Sequence, residues 1–299
     1  MTRSYYESIA RARIAGLLDA DSFHEWLSAA DRVTSPHLAI LEQPAAFDDG
    51  VIIGQGSIAG KQIFIAAQEG GFMGGAVGEV HGAKIVGVLE RAVRDHPAAV
   101  LLLLETGGVR LQEANAGLIA VSEVMRAILS ARAAGVPVIV AIGGQYGCFG
   151  GMGIASRCAT TIIMSEEGRL GLSGPEVIET VRGVEEYDSR DRALVWRTVG
   201  GKHRYLLGEC DVIVPDSMAA FQHAVTASIN NGDDWSLEAL EREHQLLSDR
   251  VKRFGECKDG RDIWRKMGWP DPDAIAMMDN DEFLAAAQGR RAKQTVKVP

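Results

Sequence analysis

Apolar positions recur at two different periods along the chain. Within residues 4–19, Ile9, Ala10, Ile14, Leu17 and Leu18 fall on one stripe at helical spacing, with Ser4 placed to cap it. Val51–Ile58 and Gln62–Ala67 read instead as two strands joined by a tight turn at Ala59-Gly60. Val77, Val80, Ile85, Val88, Leu89, Ala92 and Val93 return to helical spacing until His96-Pro97 stops the run. Ala98–Leu104 is uninterruptedly apolar, as a strand buried on both faces must be. The pattern then predicts a helix over 111–134 ending at Gly135 and Pro137, a second buried strand Val138–Ile142, a glycine turn with a short helix, and a strand Thr160–Met164. This alternation predicts an α/β fold with parallel strands and right-handed crossovers.

From about Ser236 the pattern changes to charged and helical, broken at Asp271-Pro272-Asp273 and Asp279-Asn280-Asp281. The expected division is therefore a main unit over 1–235 and a helical C-terminal extension over 236–299, an appendage whose last ten residues fray. No internal repeat is visible. With 299 residues, 46% hydrophobic and 24% charged, the chain has ample core for a globular protein. A net charge of −9 argues against nucleic acid or an anionic membrane as partner. No apolar run approaches the ~20 residues that span a bilayer. The opening residues lack the apolar stretch of a signal peptide. Cys148, Cys158, Cys210 and Cys257 match neither a zinc ribbon nor a disulfide framework, so reduced thiols and a cytoplasmic location are expected.

Sixteen of the 34 glycines lie between Gly70 and Gly151, including five of the six Gly-Gly pairs. One stretch, Gly54-Gln-Gly-Ser-Ile-Ala59, fits the dinucleotide pattern G-x-G-x-x-G/A. The residues after it are strand-like, whereas that fingerprint needs a helix N-terminus, so a hairpin turn is expected. Neither paired metal-binding histidines nor a G-x-S-x-G elbow occurs. The informative pairs are Gly107-Gly108 and Gly150-Gly151. Each follows a predicted buried parallel strand and precedes a helix, at the sheet edge where α/β proteins bind ligands. Two such turns can aim two peptide N–H groups at one oxygen, an oxyanion hole whose loss of one donor costs roughly 10²–10³ in rate. The structural alternative is that these glycines merely let helices pack closely on strands.

The ordered set Phe72-Met-Gly-Gly75, Gly107-Gly-Val-Arg110, Cys148-Phe-Gly-Gly151 and Gly171-Leu-Ser-Gly-Pro-Glu176 resembles the carboxyltransferase family within the crotonase superfamily. Ala12–Phe23 is also similar to the opening helix of its propionyl-type members. The resemblance implies a ClpP/crotonase β-β-α superhelix over roughly residues 9–230. It departs from the acetyl-CoA carboxylase β type in lacking a four-cysteine zinc ribbon, and from the propionyl type in carrying one crotonase-like half rather than two. Its length, acidic tail and motif wording are most similar to the β subunits of biotin-independent malonate decarboxylases. That resemblance implies a γ-type crotonase-fold subunit supplying the second half, an acyl carrier protein with a CoA-like phosphopantetheine arm, and a carrier-protein transferase subunit. It also implies chemistry without biotin, metal or any covalently bound cofactor. Decarboxylation of the malonyl thioester would leave an enolate on the hole lined by Gly107, Gly108, Gly150 and Gly151.

Other residues carry two readings each. His203 and Tyr205, near Gly200-Gly201, match a family motif at the active-site cleft, or are structural. Lys84 and Arg110 meet the phosphates of the prosthetic arm, or are solvated surface cations. Cys148 is reactive or a small buried filler, and Phe149 beside it is a candidate substrate contact. Ser173 is a candidate contact or caps the helix started by Pro175. Glu113 and Glu176 suggest a hydratase's paired carboxylates, but Glu176 equally serves a helix N-terminus. Two rival functions remain: a carboxyltransferase subunit of a biotin-dependent carboxylase or decarboxylase, and a non-catalytic crotonase-fold scaffold.

Overall fold

The computed structural model describes residues 3–45, 50–232 and 234–292. The elements run α1 (Ala10–Leu17), β1 (His24–Trp26), α2 (Pro36–Ile40), β2 (Val51–Ile58), β3 (Lys61–Gln68), α3 (Glu79–Asp95), β4 (Ala99–Leu103), α4 (Ala116–Ala133), β5 (Val138–Ile142), α5 (Gly151–Ser156) and β6 (Thr161–Ser165). After these come α6 (Pro175–Arg182), α7 (Arg192–Val199), α8 (Gly201–Leu207), β7 (Val212–Val214), α9 (Met218–Ser228), α10 (Leu237–Phe254), α11 (Gly260–Lys266) and α12 (Asn280–Ala287). The seven strands lie side by side in sequence order, antiparallel from β1 to β3 and parallel from β3 to β7.

Both faces of the sheet are covered, which explains the unbroken apolar runs. Phe64, Val100, Leu102, Val138 and Val140 point to one face with Ile85, Leu89 and Val124 of α3 and α4. Ile63, Ile65, Leu101, Leu103 and Ile139 point to the other with Ile14, Leu17 and Phe221 of α1 and α9. The first cluster also takes in Phe254, Trp264, Trp269, Ile275 and Phe283, so the charged C-terminal helices pack into the core of the sheet. Arg291 stacks over the Tyr205 ring at 3.8 Å, tying down the chain just before residues 293–299, which lie outside the described residues along with most of the segment expected to fray.

Three expected boundaries shift for identifiable reasons. The first helix starts at Ala10 because Asp216 holds the preceding turn, accepting the Ser4 hydroxyl (2.5 Å) and the Tyr5 and Tyr6 amides (3.0 and 2.8 Å). Val77 lies outside its helix because its backbone pairs with Val109. The helix expected from Leu111 opens with a 3₁₀ turn, Leu111–Glu113, and is interrupted where Ala114 takes a positive φ of 49°. The strand β1 falls in a stretch with no readable pattern. The hairpin is as expected: Ile58 pairs with Lys61 across Ala59-Gly60.

Candidate active site

A second, minor set of backbone pairings crosses the C-terminal ends of the parallel strands. Val77 pairs with Val109, Thr106 with Cys148, and Cys148 with Leu170. The Thr106 N–H donates to the Gly147 carbonyl (2.8 Å) and the Phe149 N–H to the Thr106 carbonyl (2.9 Å). These bonds hold the turn after β4 against the turn after β5, and so bring the two Gly-Gly pairs together. A Cβ placed on Gly150 would stand 3.1 Å from the Gly108 Cα. Gly150 has φ 66° and ψ −145° and Gly108 has φ 148°, backbone shapes that L side chains rarely adopt.

The four glycines differ in what their amides do. The Gly107 N–H donates to the Gly74 carbonyl (2.8 Å) and the Gly150 N–H to the Leu172 carbonyl (2.9 Å), so both are engaged in the backbone. The Gly108 N–H makes only a long local bond to the Thr106 hydroxyl (3.2 Å). Gly151 is the first residue of α5, where a helix leaves its N–H without an intrahelical acceptor. The donors available to a ligand between the turns therefore narrow to Gly108 and Gly151.

The remaining sequence candidates sit elsewhere or in the interior. Lys84 is not solvated: it is 8% exposed and donates to the Val51 carbonyl (3.2 Å). Arg110 is likewise buried, bonded to the Ala76 carbonyl (3.0 Å) and Glu113 (3.1 Å). Glu113 also accepts the Glu79 N–H at 2.6 Å, which accounts for its burial. Cys148 is fully buried, and burial pushes its thiol far above the ordinary range. Phe149 packs with Tyr187, Val195 and Val199 in a small cluster of its own. Ser173 does not cap α6, whose N-cap is Gly174 without a side-chain bond. His203 is buried edge-on to Trp264 (5.8 Å between centroids), its Nδ1 without a partner and its pKa lowered to about 3 by burial and then by Arg204. Tyr205 packs on Phe283. These last two face the C-terminal helices.

Glu105 and Arg13 are not among the candidates named by sequence, yet they meet beside the glycine turns. The Glu105 side chain is buried between the two turns, where it accepts the Tyr146 N–H (3.1 Å) and forms an ion pair with buried Arg13. Gln68, at the end of β3, accepts the Glu105 N–H (3.0 Å) and meets His81 at 2.9 Å. One signal was available: Arg13 sits on the apolar stripe of α1, between Ala10 and Leu17, where a charge demands a buried partner. Around the glycine turns, Leu111, Leu118, Ile119, Ile154, Leu172 and Val181 are large apolar side chains left exposed. Such a concentration on the elements that carry a site marks an interaction surface.

The crotonase-like α/β sheet is that of a carboxyl transferase, and the chain belongs to that family: the carboxyl transferase domain matches residues 4–227. Within the family it falls with the malonate decarboxylases. It is 41% identical, over 97% of both chains, to the malonyl-S-ACP:biotin-protein carboxyltransferase of Malonomonas rubra. It superposes on a chain of a Pseudomonas malonate decarboxylase hetero-tetramer in complex with malonate with a TM-score of 0.78 and 40% identity, covering 89% of this chain and 97% of that one. A chain of the Pseudomonas malonate decarboxylase hetero-dimer gives 0.66 and 37%, over 85% and 97%. The protein is thus an enzyme subunit acting on carboxyl groups. Among the described residues no helix is long and apolar enough to cross a membrane.

Proposed function

We propose that this chain is the β-type subunit of a malonate decarboxylase complex, and that it releases CO₂ from a malonyl thioester carried on the phosphopantetheine arm of an acyl carrier protein. The observation that carries the reading is the apposition of Gly108 and Gly150 at successive strand ends, with the Gly108 and Gly151 amides available between them. Breaking the carboxylate C–C bond leaves its electron pair on the α-carbon, delocalised onto the thioester oxygen. Two N–H dipoles aimed at that oxygen stabilise the developing charge more than the ground-state carbonyl. Protonation of the carbanion then gives the acetyl thioester. The exposed apolar side chains on α4, α5 and α6 support a γ-type crotonase-fold partner that closes the site from the opposite side, with the carrier protein and its transferase as further subunits.

A second reading has its own support. The Malonomonas relative bears, by name, a biotin protein as carboxyl acceptor. In that case the same enolate forms while the carboxyl group passes to biotin on a partner. Turnover of malonyl-carrier protein by the reconstituted complex, with and without avidin, separates the two. Avidin-insensitive release of CO₂ is expected; loss of turnover with avidin would establish biotin dependence. Formation of an intact complex in which no malonyl thioester is turned over would favour a scaffold.

A further inference from the structure

We infer that Glu105, paired with Arg13, is a positioning residue that sets the distance between the two amide donors, an inference that rests on the oxyanion reading above. Glu105 is the hub on which the glycine-rich turns converge. It immediately precedes Thr106-Gly107-Gly108, so its own backbone begins the first donor turn. Its carboxylate accepts the Tyr146 N–H (3.1 Å), within the loop that leads to Gly150-Gly151. Its backbone N–H is held from the other side by Gln68 of β3 (3.0 Å). Arg13 completes the clamp from α1, with its Nε donating to the Tyr5 carbonyl (3.1 Å) while its guanidinium meets the Glu105 carboxylate.

The glycines around this residue make room for it. A Cβ on Gly70 would lie 2.7 Å from the Glu105 carboxyl carbon, and one on Gly144 would collide with the carboxylate itself. A Cβ on Gly75 would collide with the Glu105 carbonyl. Two of the Gly-Gly pairs outside the donor turns are therefore shaped by this one side chain, and a third by the backbone of the same residue.

Stability alone does not account for the pair. Two charges this deeply buried lose about as much in desolvation as they gain from each other, and apolar residues of similar volume commonly do as well. What an apolar pair cannot do is bind two loops and a helix to a common point through directional bonds. A misplacement of about 1 Å costs an active site on the order of 10² in rate, so a tie between donor-bearing loops acts on catalysis without touching substrate.

The test uses the reconstituted complex with malonyl-carrier protein. Glu105→Gln keeps an acceptor for Tyr146 but loses the charge that orients Arg13. It is expected to lower kcat by roughly ten-fold or more, short of the ~10² ceiling, while KM stays within about two-fold. Arg13→Met combined with Glu105→Gln removes both charges, keeps the Tyr146 acceptor, and is expected to regain kcat relative to Arg13→Met alone. Amide hydrogen exchange should accelerate at 144–151 in Glu105→Gln. An unchanged kcat in Glu105→Gln overturns the inference, as does a loss confined to thermal stability. The donor itself is tested separately by replacing Gly151 with proline, compared with Gly151→Ala, both in a Val121→Ala background that makes room for the added carbon. If the proline variant keeps full turnover, the oxyanion reading fails; if it loses turnover while Glu105→Gln does not, only the positioning role fails.

Discussion

Gly108 and Gly150 face one another so closely that a Cβ on the second would come within 3.1 Å of the Cα of the first. They belong to turns that follow different strands and are drawn together by the Thr106–Cys148 backbone pairing. The glycines thus set a spacing as well as a conformation, and a substitution at Gly150 should be felt mainly in catalysis. Gly150→Ala adds a methyl group at a positive φ, where strain costs on the order of 1–3 kcal/mol, and pushes the turns apart. Turnover of the complex should fall by roughly 10² with the circular dichroism spectrum unchanged. Wild-type kcat in this variant would show that the spacing is not critical.

Arg110 and Glu113 form a buried pair within hydrogen-bonding distance, under the first donor turn. Arg110→Ala leaves a carboxylate buried with its charge uncompensated, which typically costs about 3–5 kcal/mol. Denaturant unfolding should register that loss. A variant of wild-type stability with a raised KM for malonyl-carrier protein would restore Arg110 to the phosphate-binding role.

His203 predicts a pH dependence. Its folded pKa is lowered from 6.5 to about 3, by burial first and Arg204 second. Below pH 6.5 the unfolded chain takes up a proton that the folded chain refuses, so stability declines as pH falls from about 6.5 towards 3. The slope from this one proton approaches about 1.4 kcal/mol per pH unit. In His203→Phe the decline of unfolding free energy over that window should be shallower by this amount; an identical slope would place the histidine in contact with solvent.

The C-terminal helices contribute Trp264 and Phe283 to the main core, and the segment between them contributes Trp269. Trp264→Ala should cost about 3–5 kcal/mol, and a chain ending at residue 235 should expose the core face they cover and aggregate. A monomeric, cooperatively unfolding 1–235 fragment would show instead that the extension is a separable unit.

How much of this was legible follows from what each residue must satisfy. The strand Val138–Ile142 was readable to the residue because a strand buried on both faces admits only apolar side chains, and Val51–Ile58 because the tight turn at Ala59-Gly60 fixes its end. The start of α1 was not, because Asp216, more than two hundred residues away, fixes it. The glycine turns stood out by composition and position, yet which amides remain available depends on the Gly74 and Leu172 carbonyls, supplied by other loops. Lys84 and Arg110 are candidates in the sequence because cations are usually exposed, and His203 and Tyr205 because they follow Gly200-Gly201. The burial of the first three and the packing of half-buried Tyr205 come from tertiary partners, Val51, Glu113, Trp264 and Phe283, that no local pattern announces. Glu105 was overlooked because a single acid after an apolar run reads as the strand's exposed end.

In the proposed mechanism the Gly151 amide donates to the enolate. Proline suits the first position of a helix and lacks the N–H, whereas the positive φ of Gly108 and Gly150 excludes it there. A Cβ at position 151 would press on Val121 at 2.7 Å, so the comparison is made in a Val121→Ala background. Gly151→Pro and Gly151→Ala then both add carbon, and only the first removes the donor. Single-turnover decarboxylation of malonyl-carrier protein by the two reconstituted complexes should differ by roughly 10²–10³, with proline the slower. Equal rates from two folded complexes would contradict the assignment.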